Sequence, residues 1–476
     1  MTSRAPAGAF LRLSGLRQHL AGIERDLRDG LSCLWILPSS LVEGTAADQY
    51  VEELRAALEN VVEVPGPAGA GSGPSSPRAA AAPPCTASSG DWYDDGPDDG
   101  FLDDYDDGLG DPHWPSGVTV SRPPDPHTGS ALEERLAREL GVFGDPVDYL
   151  TSEEAAGAPV IMVRGWYEED KESLARLLRR LTAAVKGSGL PPERRPRLFV
   201  AARVDDLAGD VHESLDAAFG RVHWWWSVWG RLDTATVIAE AATTPLSGVG
   251  PGSPLKRIHD AVRAETVTEV SGPDMGLAVG LTGDWDGLPS SLRACLVTLC
   301  PAEEGSPADV PTCAQAVGPA ATAYAAAPAP SVRGQWSAGL LDGWEGQLRL
   351  SVPVWIAGAG SQAQLDKLVW QSQNRVLLPL IDDARAELAS RLHEFAPHGI
   401  RRLHLLYQDR YATVADLGSM ELGDIWSGVK QGCIRVSGMQ YDRLKTLRHA
   451  RNELAHRRPL NDRSLEATVR VLAQHR

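Results

Sequence analysis

Apolar residues recur at helical spacing over residues 8–30, where Leu11, Leu13, Leu16, Leu20, Ile23 and Leu27 predict one helix closed by Gly30. The run CLWIL at 33–37 predicts a buried strand. Residues 46–58 predict a second helix, with Tyr50, Val51, Leu54 and Leu58 facing inward. From 132 onward the same alternation returns. Helices are predicted at 132–140, 170–185 and 211–219, and apolar strands at 159–163, 196–202 and 222–229. In the last strand Val222, Trp224, Trp226 and Val228 share one face. Strands alternating with helices predict an α/β domain with a mainly parallel sheet covered on both sides.

The pattern then changes. Helices at 254–267 and 290–299 are followed by an Ala/Pro/Gly-rich linker at 301–331. Past Trp336 a strand-like pair is predicted at 347–352 and 354–356, then a long helix at 362–395 with Pro379 inside it. Further helices at 401–411, 419–430, 444–456 and 464–473 predict an up-and-down helical bundle. The fold class is therefore multidomain: α/β with a mostly parallel sheet, followed by an all-α bundle. Residues 1–63 form the first βα part, 64–112 an insert, 113–250 the rest of the α/β domain, 251–335 short helices and linker, and 336–476 the helical domain.

Composition changes this picture at the insert. Residues 65–89 are mostly Gly, Pro, Ala and Ser, and residues 91–111 hold ten Asp with no Lys or Arg. Such a stretch buries too little apolar surface to offset ordering entropy, so disorder is expected. Over the whole chain of 476 residues the formal charge is −17, which argues against a general nucleic-acid coat protein. The charge is uneven, because residues 397–476 hold 14 Lys or Arg against 8 Asp or Glu. No C-x2-C pair occurs among six cysteines, so reduced thiols in a cytoplasmic protein, with no metal site and no cofactor, are expected. There is no signal-like apolar core and no run of 18 apolar residues, so no membrane partner is expected. Abundant Ala, Gly, Pro and Arg with few Lys fits a GC-rich bacterial genome.

The densest chemical information lies in the helix at 444–456. Leu444, Leu447 and Leu454 fall on one face, and Arg451 falls among them. A guanidinium there needs an anion, and Glu421 and Asp424 are the internal candidates. His449, Asn452 and His456 fall on a second face, and Pro459 ends the helix.

At Arg451-Asn452-Glu453-Leu454-Ala455-His456 the chain resembles the HEPN superfamily, helical bundles that carry Arg, four to six residues, then His. The resemblance implies a metal-independent endoribonuclease assembled across a homodimer of the C-terminal helices, with RNA as substrate. Carried over by position, His456 would move a proton as an RNA 2′-hydroxyl attacks the neighbouring phosphate. Arg451 would hold that phosphate, and Asn452 would orient one of them. The same resemblance admits a non-catalytic dimerisation module, with Arg451 held by Glu421 or Asp424.

The first part resembles a degenerate P-loop NTPase of the STAND or AAA kind. The strand at 33–37, the small-residue connection at 38–45 and the following helix have the layout, but G-x-x-x-x-G-K-[ST] is missing and Glu43 is acidic. The strand at 160–163 takes the metal-binding strand's place, yet RGWYEED follows it, and Glu168, Glu169 and Asp170 read as a helix start. The pairing resembles bacterial conflict, or antiphage, systems. The expected functions are a restrained RNase, or an adaptor that joins an inactive NTPase-like domain to a helical interaction domain and works through protein partners.

Overall fold

The run Ser32–Leu37 has no polar face, and all six residues are buried. It forms β1, next to the middle of a five-stranded sheet in the computed structural model. The structure describes residues 7–44, 46–67, 132–153, 155, 157–209, 211–243, 253–301, 326–356 and 361–474. The Asp-rich insert, and all but the first residue of 301–325 in the expected linker, lie outside the described residues.

The other strands are β2 (Val61–Glu63), β3 (Val160–Arg164), β4 (Arg197–Arg203) and β5 (Gly220–Trp224). Their order is β2-β3-β4-β1-β5, and every pairing is parallel. Register sets Trp35 of β1 beside Ala201 of β4 and His223 of β5. The chain leaves β1 for the far edge, returns through β3 to β4, then passes β1 to reach β5. The connections from β1 and β4 run in opposite directions across the sheet. Between the carboxyl ends of those two strands lies the switch point where open α/β sheets form a crevice.

The predicted helices at 46–58 and 170–185 are present as Ala46–Ala57 and Lys171–Ser188. Asp170 caps the latter, its carboxylate accepting the Glu172 N–H at 3.0 Å. Three expectations are corrected. The Trp-rich strand stops at Trp224: Trp226 N–H bonds back to the Trp224 carbonyl at 2.8 Å, and Ser227 turns at φ 54°. Trp224, Trp225, Trp226 and Trp229 are all buried, so alternation between two faces fails there. The helix at 211–219 is one turn, Val211–Ser214. The strand pair past Trp336 lies earlier than expected, as an antiparallel hairpin of β6 (Leu341–Trp344) and β7 (Gln347–Leu350). Glu345 and Gly346, both at positive φ, make its two-residue turn, while Val352–Ile356 is helical.

The long helix contains Pro379 as expected but runs Ser361–Ser390, five residues short of the expected end, with Leu392–Phe395 a separate turn. Its first half, with Leu365, Leu368 and Val369, packs on the sheet core. Leu377, Ile381 and Leu388 join a second core with Ile258, Val262, Leu403, Ile425, Leu444, Leu447 and Leu454. Ile258 and Val262 come from the helix Pro254–Ser271, so two helices reach both cores. Among the described residues no helix is long and apolar enough to cross a membrane.

Candidate active site

The motif helix is Gly438–Ala455, six residues longer at its start than its apolar pattern indicates. Ser437 and Gln440 cap it reciprocally: Ser437 Oγ accepts the Gln440 N–H at 3.3 Å, and Gln440 Oε1 accepts the Ser437 N–H at 3.1 Å. At the other end His456 donates its N–H to the Asn452 carbonyl at 3.0 Å, and Arg457 turns into the left-handed region at φ 59°. The long helix fixes this end. Trp370 Nε1 donates to the Leu454 carbonyl at 2.6 Å, and the buried Gln373 amide accepts the Leu460 N–H at 2.6 Å and donates to its carbonyl at 3.0 Å.

Leu444, Leu447 and Leu454 are buried, together with Ala450. Arg451 is not; its side chain is 47% exposed. It lies on the flank of the seam, and a long side chain there turns its charged head to water. The buried cation of this helix is Arg443 instead, paired with Glu387 at 2.7 Å. Of the two expected anions, Glu421 stands 3.7 Å from Arg451, itself 60% exposed. Asp424 is engaged elsewhere, by Arg410 and by the Tyr411 hydroxyl at 2.6 Å. An exposed pair at that distance contributes about 0–1 kcal/mol and exchanges readily. His449 and His456 are exposed and Asn452 half-buried. Residues 451 and 456 are five apart, about 140° around a helix and roughly 7.5 Å along it.

A row of cations continues from Arg451. Arg448 lies over the Trp426 ring at 5.4 Å, and Lys430 lies over the same ring at 4.9 Å and over Tyr441 at 5.7 Å. Trp426 and Tyr441 themselves are in contact, with centroids 5.1 Å apart. No acidic partner is present for Lys430 or Arg448 among the described residues.

The crevice of the sheet has the opposite character. Residues Ser39–Glu43 coil into a short helix directly after β1, so no open loop of N–H groups is presented there. At the end of β3, Arg164 is gripped by Glu52 and Glu63, with Asp48 at 3.4 Å. Glu168 forms a buried pair with Arg135. At the end of β4, Arg203 holds Asp206 at 2.8 Å. The groups that would face a phosphate or Mg²⁺ are thus already paired with each other.

Beside the crevice, beyond β1 and β5, is a cavity of about 590 Å³ whose lining includes Tyr50, Trp225, Trp229, Trp336, Asp342 and Arg349. Asp342 keeps some exposed surface on the cavity side, yet burial pushes its carboxyl up to about 7, against the N–H groups of Ser227 and Gly343 that it accepts at 3.1 and 2.7 Å. Arg349 donates to the Glu269 carbonyl and stands 3.7 Å from its carboxylate. Among the described residues that leaves the cavity wall no unpaired cation for a polyphosphate.

No family model, curated protein or solved structure matches this chain.

The structure brings Arg451, Asn452 and His456 to one end of one helix, on its solvent side, and places them far along the chain from the cavity residues. Sequence reasoning missed Lys430, Arg448 and Trp426 as a group. Their signal was present only as unpaired basic residues at i, i+3 spacing on the motif helix, with the ring supplied from a separate helix, Leu422–Lys430. It missed the cavity too, which forms from segments near residues 10, 50, 225, 275 and 345.

Proposed function

We propose that the chain is a metal-independent endoribonuclease of HEPN type, working in a bacterial conflict system and completed by a second copy of itself. The observation that carries this reading is the solvent-facing Arg451, loosely held, continuous with two cations that have no acidic partner. An RNA backbone supplies the anions such a row needs.

In this reading His456 takes the proton of a 2′-hydroxyl, the 2′-oxygen attacks the adjacent phosphorus, and the bond to the 5′-oxygen breaks. A proton returned to that 5′-oxygen leaves a 2′,3′-cyclic phosphate and a 5′-hydroxyl. Arg451 offsets the charge that grows on the phosphoryl oxygens, and Asn452 orients the pair. Within one copy Arg451 and His456 diverge around the helix, which favours a site shared between two copies. The first part serves as an NTPase-like scaffold that hydrolyses no nucleotide. What supports this is its strand order with the switch point beside β1, together with the paired crevice residues.

The test is cleavage of a labelled single-stranded RNA by the full-length protein with EDTA present. His456→Ala is expected to lower the rate by at least about a hundredfold, the usual range for losing a general base. Equal rates for the two proteins reject the proposal.

The contact between Glu421 and Arg451 favours a second reading, a non-catalytic adaptor in which that pair only braces two helices. Glu421→Gln separates the two: it frees Arg451 and raises cleavage in the first reading, and has no cleavage to raise in the second.

A further inference from the structure

Three side chains of different chemistry meet where the first helix crosses the sheet. Asp26 comes from the helix Ser14–Arg28, Cys33 from β1 and His223 from β5. One donor atom of each lies within 4.8 Å of the other two. We infer that Asp26, Cys33 and His223 bind a divalent ion of the zinc class, and that the ion pins the first helix to β1 and β5.

Three observations carry this. First, His223 Nε2 and Asp26 Oδ2 are 2.9 Å apart, but Nε2 makes no well-directed hydrogen bond. Two ligands of a tetrahedral ion at about 2.0–2.1 Å stand roughly 3.3 Å apart, with lone pairs aimed at a common centre rather than at each other. Second, the Cys33 thiol is fully buried, and among the described residues its hydrogen-bond contacts are the carbonyls of Ile23 and Leu31, each at 3.9 Å, which are long even for sulfur. Third, the donor set is selective. A thiolate with an imidazole and one carboxylate suits zinc and its soft neighbours and disfavours Mg²⁺ and Ca²⁺.

Charge balances at this site. Zn²⁺ against Cys33 thiolate, Asp26 carboxylate and neutral His223 sums to zero, the arrangement a largely buried position tolerates best. On binding, the Cys33 thiol gives its proton to solvent and the Zn–S bond forms, with no change of oxidation state. Metal-free, burial followed by the Asp26 charge holds the thiol protonated. Arg221, half exposed, stands 3.8 Å from Asp26 Oδ2 and can turn to water when the ion binds. The Asp26 and His223 side chains keep 21% and 12% exposure, which gives an entry path and room for water as the fourth ligand. No C-x2-C spacing announces such a site, because its ligands are 7 and 190 residues apart.

The experiment is a cobalt(II) titration of the full-length protein after chelator treatment, read by absorption and reversed with zinc. The expected result is one ion per chain, intense tetrahedral bands and a thiolate-to-cobalt charge-transfer band. That band disappears in Cys33→Ser, and affinity falls roughly tenfold or more in Asp26→Asn, whose side chain is partly exposed. The outcome that overturns the inference is octahedral cobalt only, or a thiolate band that survives in Cys33→Ser. If Cys33→Ser does not fold, Asp26→Asn decides: unchanged cobalt affinity in that variant rejects the site. Neither result depends on whether the protein cuts RNA.

Discussion

At the scale of single residues, Asp342 makes the clearest statement about stability. Burial raises its carboxyl to about 7, whereas an Asp in an unfolded chain titrates near 3.9. The folded protein therefore holds this proton more tightly, and stability falls as pH rises from about 4 to about 7. Asp342→Asn removes the charge while Oδ1 still accepts the Ser227 and Gly343 N–H groups. The variant should be more stable than the parent at pH 8, by on the order of a few kcal/mol, and indistinguishable at pH 4. Urea midpoints at both pH values check this, and a gain of equal size at each would refute it. Residue-level chemistry of this kind was hidden in the sequence, where Asp342 lay just before the expected strand pair with nothing to mark its burial. Arg451 shows the converse. Its spacing from Leu447 and Leu454 placed it on the apolar face, but periodicity does not record how far the facing helix extends. A side chain with a long stem escapes a seam that a leucine cannot.

At the scale of elements, local pattern was sufficient where a segment is long or uniformly apolar. The strands β1, β3 and β4 and the helices Ala46–Ala57, Lys171–Ser188 and Ser361–Ser390 all follow from period and run length. It failed where a neighbour decides. The three-residue β2 exists only because β3 pairs with it, and β5 ends at Trp224 because the next residues turn into the core. The end of the motif helix is likewise set from outside, by Gln373 of the long helix. Gln373→Leu keeps the volume but leaves the Leu460 N–H and carbonyl unpaired in a buried position. Two such groups cost about 2–5 kcal/mol together. Equilibrium urea unfolding should show that loss, and hydrogen exchange should accelerate first around residues 456–460. A loss under about 0.5 kcal/mol would mean that water replaces the amide there.

At the scale of the whole molecule, an ion network joins the two cores. Arg231 begins the helix after β5, Glu265 and Glu269 lie on Pro254–Ser271, Arg349 is on β7 and Arg375 on the long helix. Glu269 receives Arg231 and Arg375 at 2.5 Å each, and Arg375 reaches Glu265 at 2.7 Å. Burial alone would raise the Glu269 carboxyl, but the hydrogen bonds from Arg375 and Arg231 outweigh it and hold it below the usual range. Its contribution is therefore full above the unfolded value near 4.3 and fades as pH falls through the lower folded value. Glu269→Gln leaves Arg231 and Arg375 sharing the Glu265 carboxylate and Arg349 with the Glu269 main-chain carbonyl, and since Arg375 is half exposed the loss should lie at or below the low end of the about 3–5 kcal/mol for breaking a buried pair. Because the network is one of the polar links between the sheet core and the C-terminal helices, beside the bonds from Ser290 to Asp462, that loss should weaken their coupling. Calorimetry of the parent is expected to show one transition, and the variant two, with the lower one losing its dependence on pH below 5. The long helix also carries Trp370 and Gln373, which grip the motif helix within two turns of Arg375. If the proposed ribonuclease reading holds, loosening Arg375 slows RNA cleavage without touching Arg451 or His456. A single transition at the parental midpoint, with unchanged cleavage, would show that apolar contact along the long helix holds the two cores together and that the ions only decorate it.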